Sequence, residues 1–148
     1  MIKLNLGCGS EFSDELIGFD LHDYGQQHVG FDLEKDKLPF KANSVDFIKS
    51  NHCIEHLTDV RHAFNEAWRV LKKDGVFEVK VPYGLWEGAS KPVHKQCITP
   101  CWFDFFRKEK TKVYGYKRWK INKLYRLTNG EIDNKNGAEV FCSMTPDK

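Results

Sequence analysis

An α/β fold with a mainly parallel sheet and a C-terminal antiparallel hairpin is what this 148-residue sequence predicts. Three observations carry that reading. Short apolar strands precede one strongly amphipathic helix, which leads into another strand. The first strand breaks into a glycine turn and the next ends on an acid. The last third is rich in strand-forming residues around one polar turn.

Ile2-Lys3-Leu4-Asn5-Leu6 reads as the first strand, stopped by Gly7-Cys8-Gly9. Ser13-Asp14-Glu15 caps one helical turn at most. Leu16-Ile17-Gly18-Phe19 is a second strand ending at Asp20, and His28 to Phe31 repeats the pattern more weakly, ending at Asp32. Leu38-Pro39-Phe40 reads as a loop that packs an aromatic on the core. Ser44 to Ser50 alternates with period two, as a strand does.

The clearest helix starts near Thr58 as N-cap, with Asp59 in its first turn favourable to the helix dipole. Val60, Phe64, Ala67, Trp68 and Leu71 form one apolar stripe. Lys72 and Lys73 fall at its end, with Gly75 as the residue just past it. Val76 to Val81 is the next strand, closed by Pro82. A second helix is expected after Thr99-Pro100, where proline suits the first helical position. Arg118 to Thr128 and Ala138 to Met144 then make a hairpin around the polar loop from Asn129-Gly130 to Gly137. There is no repeat, low-complexity tract or linker, so residues 1–148 read as one domain.

Composition excludes some classes. No apolar run approaches the roughly 20 residues that span a bilayer, and the first residues lack signal-peptide architecture, so a cytoplasmic chain without membrane association is expected. The five cysteines, Cys8, Cys53, Cys97, Cys101 and Cys142, are odd in number and scattered, which suits reduced thiols. Basic and acidic residues nearly cancel, 23 against 21, but nine of the Lys/Arg fall between Arg107 and Arg126 against Glu109 alone. With Tyr114, Tyr116, Trp119 and Tyr125 interleaved, that stretch fits a single-stranded nucleic-acid groove. It also fits an edge strand with aromatics inward and lysines outward. The edge strand is the favoured reading, and nucleic acid remains open.

In a doubly wound sheet, ligands bind beyond the carboxyl ends of the strands where strand order reverses. Gly7 and Gly9 would let backbone approach a ligand, Asp20 would accept from ribose hydroxyls, and Asp32 would read an adenine amino group. A glycine pair by itself also fits a plain tight turn. A dinucleotide fingerprint is disfavoured, since Phe12 stands where the third glycine would fall and Asp20 comes too early.

Four segments in order carry a family resemblance: LNLGCG at 4–9, IGFDLHD at 17–23, LPFKANSVDFIKSNHCIEHL at 38–57 and RVLKKDGVFEVKVP at 69–82. Together they resemble the class I, Rossmann-like methyltransferases that use S-adenosylmethionine (SAM), most closely the branch whose first strand reads LNLGCG. The resemblance implies helices on both faces of the sheet, with the first helix truncated here. It implies a SAM methionyl end along Leu6, Gly7, Cys8 and Gly9, ribose on Asp20, and adenine near Leu21, Asp32 and Leu33. Ser50, Asn51 and His52 would cover the sulfonium, and S-adenosylhomocysteine would be the product. The Pro-Gly-Gly turn familiar in the family is Lys73-Asp74-Gly75 here. The short C-terminal third leaves little chain for a lid, so a homo-oligomer, a partner chain or a macromolecular acceptor would complete the acceptor side.

Methyl transfer from a sulfonium relies on positioning, and an acceptor that loses a proton benefits from a base. His52, after the fourth strand, and His94, in a segment that resembles the family's histidine before a Thr-Pro helix start, are the candidate catalytic residues. Loop anchoring is the alternative for each. Glu55 would orient the loop or helix start, and His56 reads as structural. His94, Cys97 and Cys101 spell H-x₂-C-x₃-C, but no second pair closes a four-ligand set, so no metal is assigned. The acceptor is not legible. A SAM-binding protein without transferase activity and a nucleic-acid module on a degenerate nucleotide fold are the alternatives.

Overall fold

The computed structural model describes every residue except Phe12 and Lys108, together with the side chains of Glu109 and Lys110. The third-glycine position and two of the basic side chains of the 107–126 stretch therefore lie outside the described residues.

Alternating side chains build β1 (Lys3–Leu6), β2 (Ile17–Asp20), β3 (His28–Val29), β4 (Val45–Asn51) and β5 (Leu71–Pro82). β6 (Trp119–Thr128), β7 (Glu131–Ile132) and β8 (Glu139–Pro146) follow. They form one sheet in the order β3-β2-β1-β4-β5-β8-β6-β7. Pairing is parallel from β3 to β5 and antiparallel among β5, β8, β6 and β7. The mainly parallel Rossmann-like sheet and its C-terminal hairpin are as expected. The two-residue β7, turned at Asn129 and Gly130 with φ of 52° and 84°, is an addition.

α1 (Arg61–Val70) and α2 (Pro100–Asp104) pack on one face of this sheet. Phe64 of α1 stacks on Phe106 at 4.6 Å and meets Phe77 of β5, which in turn contacts Trp119 of β6. Trp102 of α2 meets the same Phe64 ring. Such aromatic pairs contribute roughly 0.5–1.5 kcal/mol each beyond their burial. Between β1 and β2 the described residues form a loop without a helical turn, which lies against the opposite face. There Asn5 donates to Glu11 O, while Lys49 and Lys3 pair with Glu11 and Glu15.

Two helix ends differ from expectation. Val60 already has helical backbone, and the side chain that takes an orphan N–H is Asp59, whose Oδ1 accepts from Arg61 N at 2.8 Å. Thr58 is therefore one residue too early as the cap. At the other end α1 stops at Val70, and Leu71 already pairs with Val45. Gly75 sits inside β5, where a Cβ would press to 2.9 Å from Leu71 Cδ2, so close packing requires glycine there rather than a helix stop.

The 38–40 loop packs as expected. Arg69 donates to Leu38 O and Phe40 O, and Leu38 N donates to Glu66. In the basic stretch Trp119 is buried and Tyr116 packs on Phe105 and Phe106, while Lys120 and Lys123 face solvent. β7 covers only Leu127 and Thr128 of β6. This is the edge-strand arrangement. The cysteines are unpaired thiols, and among the described residues no helix is long and apolar enough to cross a membrane.

Candidate active site

The sheet order reverses between β1 and β4, and a cavity of ≈ 470 Å³ opens at the carboxyl ends of the strands there. Gly7 and Gly9 form its floor with φ of 66° and 50°. The two glycines answer different demands. A Cβ on Gly7 would lie 2.1 Å from Cys53 Sγ, whereas one on Gly9 would meet nothing within 4 Å. Gly7 thus lets β1 close against the turn after β4, and Gly9 leaves open space for a ligand.

Asp20 ends β2 beside that turn. Its Oδ2 accepts from Gly9 N at 2.8 Å and its Oδ1 from His22 N at 3.0 Å, so one carboxylate fixes the turn and still has lone pairs toward the cavity. Asp32 also lines the cavity. Lys35 first, and then the backbone N–H of Glu34, hold its carboxyl below the usual range. Leu21 and Leu33 supply apolar wall.

The other implied cofactor contacts lie elsewhere. Leu6 and Cys8 are buried, with Cys8 Sγ against Gly18. Ser50 is buried and donates its hydroxyl to Leu6 O at 2.9 Å, tying β4 to β1. Asn51 reaches Glu11 on the opposite face of the sheet. None of the four side chains lines the cavity.

His52 does line it, in a left-handed conformation with φ 49°. Its Nε2 lies 2.6 Å from Glu139 Oε1 of β8 and its Nδ1 lies 3.6 Å from Glu55 Oε1. Glu55, and after an opposing desolvation Glu139, raise its pKa above the ordinary histidine value. With a carboxylate near each ring nitrogen, His52 bridges Glu55 and Glu139 at the cavity wall. Burial pushes the neighbouring Cys53 thiol up to about 12, with Glu55 and Asp20 adding to the effect, so it stays protonated.

His94 lies beside the turn after β4. Its ring meets His56 edge to face at 4.9 Å, and its Nδ1 is 2.7 Å from Ala89 O. The H-x₂-C-x₃-C spacing does not gather. Among the described residues the metal-ligating types that converge with His94 are Glu55 and His56, while Cys97 and Cys101 are exposed.

Residues 8–79 match the family described as methyltransferase domain. The match spans just under half of the 148 residues and supports the resemblance to class I methyltransferases. A curated relative, the uncharacterized methyltransferase YcgJ of Bacillus subtilis, is 45% identical over 42 residues. The aligned stretch is 28% of this chain and spans 17% of the length of that relative. Solved structures share the fold across the chain. One chain of a complex between the Haloferax volcanii Trm112 methyltransferase activator and a methyltransferase superposes with a TM-score of 0.70 at 15% identity, covering 99% of this chain and 83% of that one. A SAM-dependent methyltransferase from Thermotoga maritima gives 0.67 at 18%, covering 99% and 82%. The B. subtilis YcgJ structure gives 0.61 at 16%, covering 99% and 92%.

At this cavity the sequence reading missed Tyr24, Phe31 and Leu57 as walls and Glu139 as the partner of His52. Tyr24 and Phe31 had a usable signal, being aromatics in the turns after β2 and β3. Glu139 had none, since only sheet order brings it to the site.

Proposed function

We propose that residues 1–148 act as one domain that binds SAM in the cavity at the β1/β4 reversal and transfers its methyl group to an acceptor not yet identified. The observation that carries this is the convergence of Gly7, Gly9, Asp20 and Asp32 on one cavity at that reversal. Asp20 would take the ribose hydroxyls, Asp32, Leu21 and Leu33 would flank adenine, and the Gly7–Gly9 turn would admit the methionyl part.

In the reaction an acceptor lone pair forms the new bond to the methyl carbon. The S–C bond breaks with its electron pair going to sulfur, leaving S-adenosylhomocysteine, and a protic acceptor gives its proton to solvent or to a cavity base. Donor activation is intrinsic to the sulfonium, so the chain's contribution is alignment, for which well-oriented pairs gain about 7–11 kcal/mol. His52 lies on the cavity wall as a positioning residue for Glu55 and Glu139. A second copy, a partner chain or the acceptor itself would complete the acceptor side; a structural neighbour occurs in a complex with an activator. A cytoplasmic location belongs to the same proposal.

Calorimetric titration with SAM and with S-adenosylhomocysteine tests the reading. Binding near micromolar, lost on Asp20→Ala, supports it. Folded protein that binds neither ligand at millimolar concentration overturns it.

A further inference from the structure

The turn Ile54–His56 and the loop 93–96 are laced together. Lys95 and Gln96 donate backbone N–H groups to Glu55 O at 2.6 and 3.1 Å, and the Gln96 side chain donates to Leu57 O and Thr58 O. His56 Nδ1 lies 3.2 Å from Val93 O and His94 Nδ1 lies 2.7 Å from Ala89 O. A carbonyl oxygen only accepts, so each Nδ1 carries the proton and each Nε2 keeps its lone pair. Imidazoles that hold metals are commonly oriented in this way, by a backbone carbonyl on the far nitrogen.

Glu55 stands between them. Its side chain is 3% exposed, and its Oε2 has no hydrogen-bond partner among the described residues. Its Oε1 is 3.6 Å from His52 Nδ1 and 3.9 Å from His56 Nε2. An unpaired buried carboxylate oxygen costs several kcal/mol on general grounds, and an interior selected for packing alone would satisfy it or remove it. One ligand atom each from Glu55, His56 and His94 falls within 4.8 Å of the others. Small side-chain rotations close that spread to the roughly 3.3 Å separations of a tetrahedral set with ~2.05 Å bonds.

We propose that Glu55, His56 and His94 hold a divalent transition-metal cation of the zinc class at the edge of the cavity. Two imidazoles and one carboxylate form a borderline nitrogen/oxygen set that suits zinc-like ions better than magnesium or calcium. Three protein ligands leave a coordination position open. His56 and His52 both line the cavity, so the open position would face the cavity, where an acceptor would meet the donor. A metal there would hold an oxygen or nitrogen donor of the acceptor and ease loss of its proton. That role rests on the methyl-transfer reading, whereas the ligand set does not.

The test is titration of the chelator-treated protein with Co²⁺, read by visible d–d absorption, with Zn²⁺ as competitor. One equivalent should bind at about micromolar affinity, and His56→Ala and His94→Ala should each weaken it by at least about tenfold. Glu55→Gln should do the same, and the double variant Cys97→Ser/Cys101→Ser should leave binding unchanged. Circular dichroism and thermal melts identify any variant that does not fold, and His94→Gln then replaces His94→Ala. No saturable binding, undiminished binding in folded histidine variants, or loss of binding in the cysteine variant overturns the site. SAM titration of the same preparations separates the two proposals. SAM binding without Co²⁺ binding removes the metal site alone, and the reverse removes the cofactor pocket alone.

Discussion

The two ends of the cavity are built by different means. At the end with Asp20 and Asp32, the contacts are local. Asp20 reaches Gly9 across 11 residues and His22 across two, and Asp32 binds Glu34 N two residues on. At the end with His52, they are long-range. His52 meets Glu139 across 87 residues, His56 meets Val93 across 37, and Gln96 meets Leu57 across 39. The first end is a property of three strand ends and their turns. The second exists only once β8 has taken its place beside β5 and the 93–96 loop has docked on the turn after β4.

The largest expected effect comes from joining the two ends by force. Gly7→Ala would place a Cβ 2.1 Å from Cys53 Sγ at φ 66°, and should cost about 2–4 kcal/mol of stability through overpacking and backbone strain. Differential scanning calorimetry should show a melting temperature lower by roughly 5–15 °C. An unshifted melt would mean that the turn after β4 does not close on β1 as described.

Next comes a change confined to the long-range end. His52→Ala should lower the methyl-transfer rate by about a hundredfold with the true acceptor through lost positioning of Glu55 and Glu139, while SAM affinity stays within about twofold. Steady-state kinetics beside calorimetry make the distinction, and equal loss of both would place His52 at the donor end instead.

At the local end, Asp20→Ala should weaken SAM by at least about tenfold, since it removes the ribose acceptor and both pins of the glycine turn. Asp20→Asn keeps an acceptor oxygen and should fall between. If Asn and Ala behave alike, charge is the decisive property, and if neither matters the ribose assignment fails.

The smallest effect is a titration. Glu139→Gln removes one of the two carboxylates that raise the His52 pKa, so that pKa should move down toward the ordinary 6.5 without reaching it, because Glu55 remains. The sign for stability follows. A raised folded pKa contributes stability that is fully present below the unfolded value near 6.5 and is lost as pH rises through the folded value. The variant should lose its share over a lower pH range than the parent chain, and proton NMR of the His52 ring reads both. A titration that moves upward would overturn the assigned pairing.

Much of the fold could be read in advance because its signals are local. Short runs stopped by a glycine turn, an acid or a proline marked β1, β2 and the second half of β5, period-two alternation marked β4, and proline after Thr99 marked α2. The end of α1 was misjudged because Lys72, Lys73 and Gly75 carry helix-stop chemistry, while the pairing of Leu71 with Val45 recruits that stretch into β5. Tertiary pairing overrode local preference there. At the site, Gly7, Gly9, Asp20, Leu21, Asp32, Leu33 and His52 were named from sequence and line the cavity. Leu6, Cys8, Ser50 and Asn51 were implied by the family resemblance; the side chains of the first three are buried away from the cavity, and Asn51 reaches Glu11 on the other face.

By itself the sequence determined the units at the Asp20 end of the cavity, namely the glycine turn, the acid that ends β2 and the acid three residues past β3, and it determined the apolar stripe of α1. Those depend on glycine's backbone freedom, side-chain periodicity and hydrogen bonds between near neighbours. Only the tertiary structure decided that Glu139 meets His52, that Glu55, His56 and His94 converge, and that Gly7 is required by a cysteine from another strand's turn. Groups separated by tens of residues come together through strand order and loop docking, and no local property of the chain encodes either one.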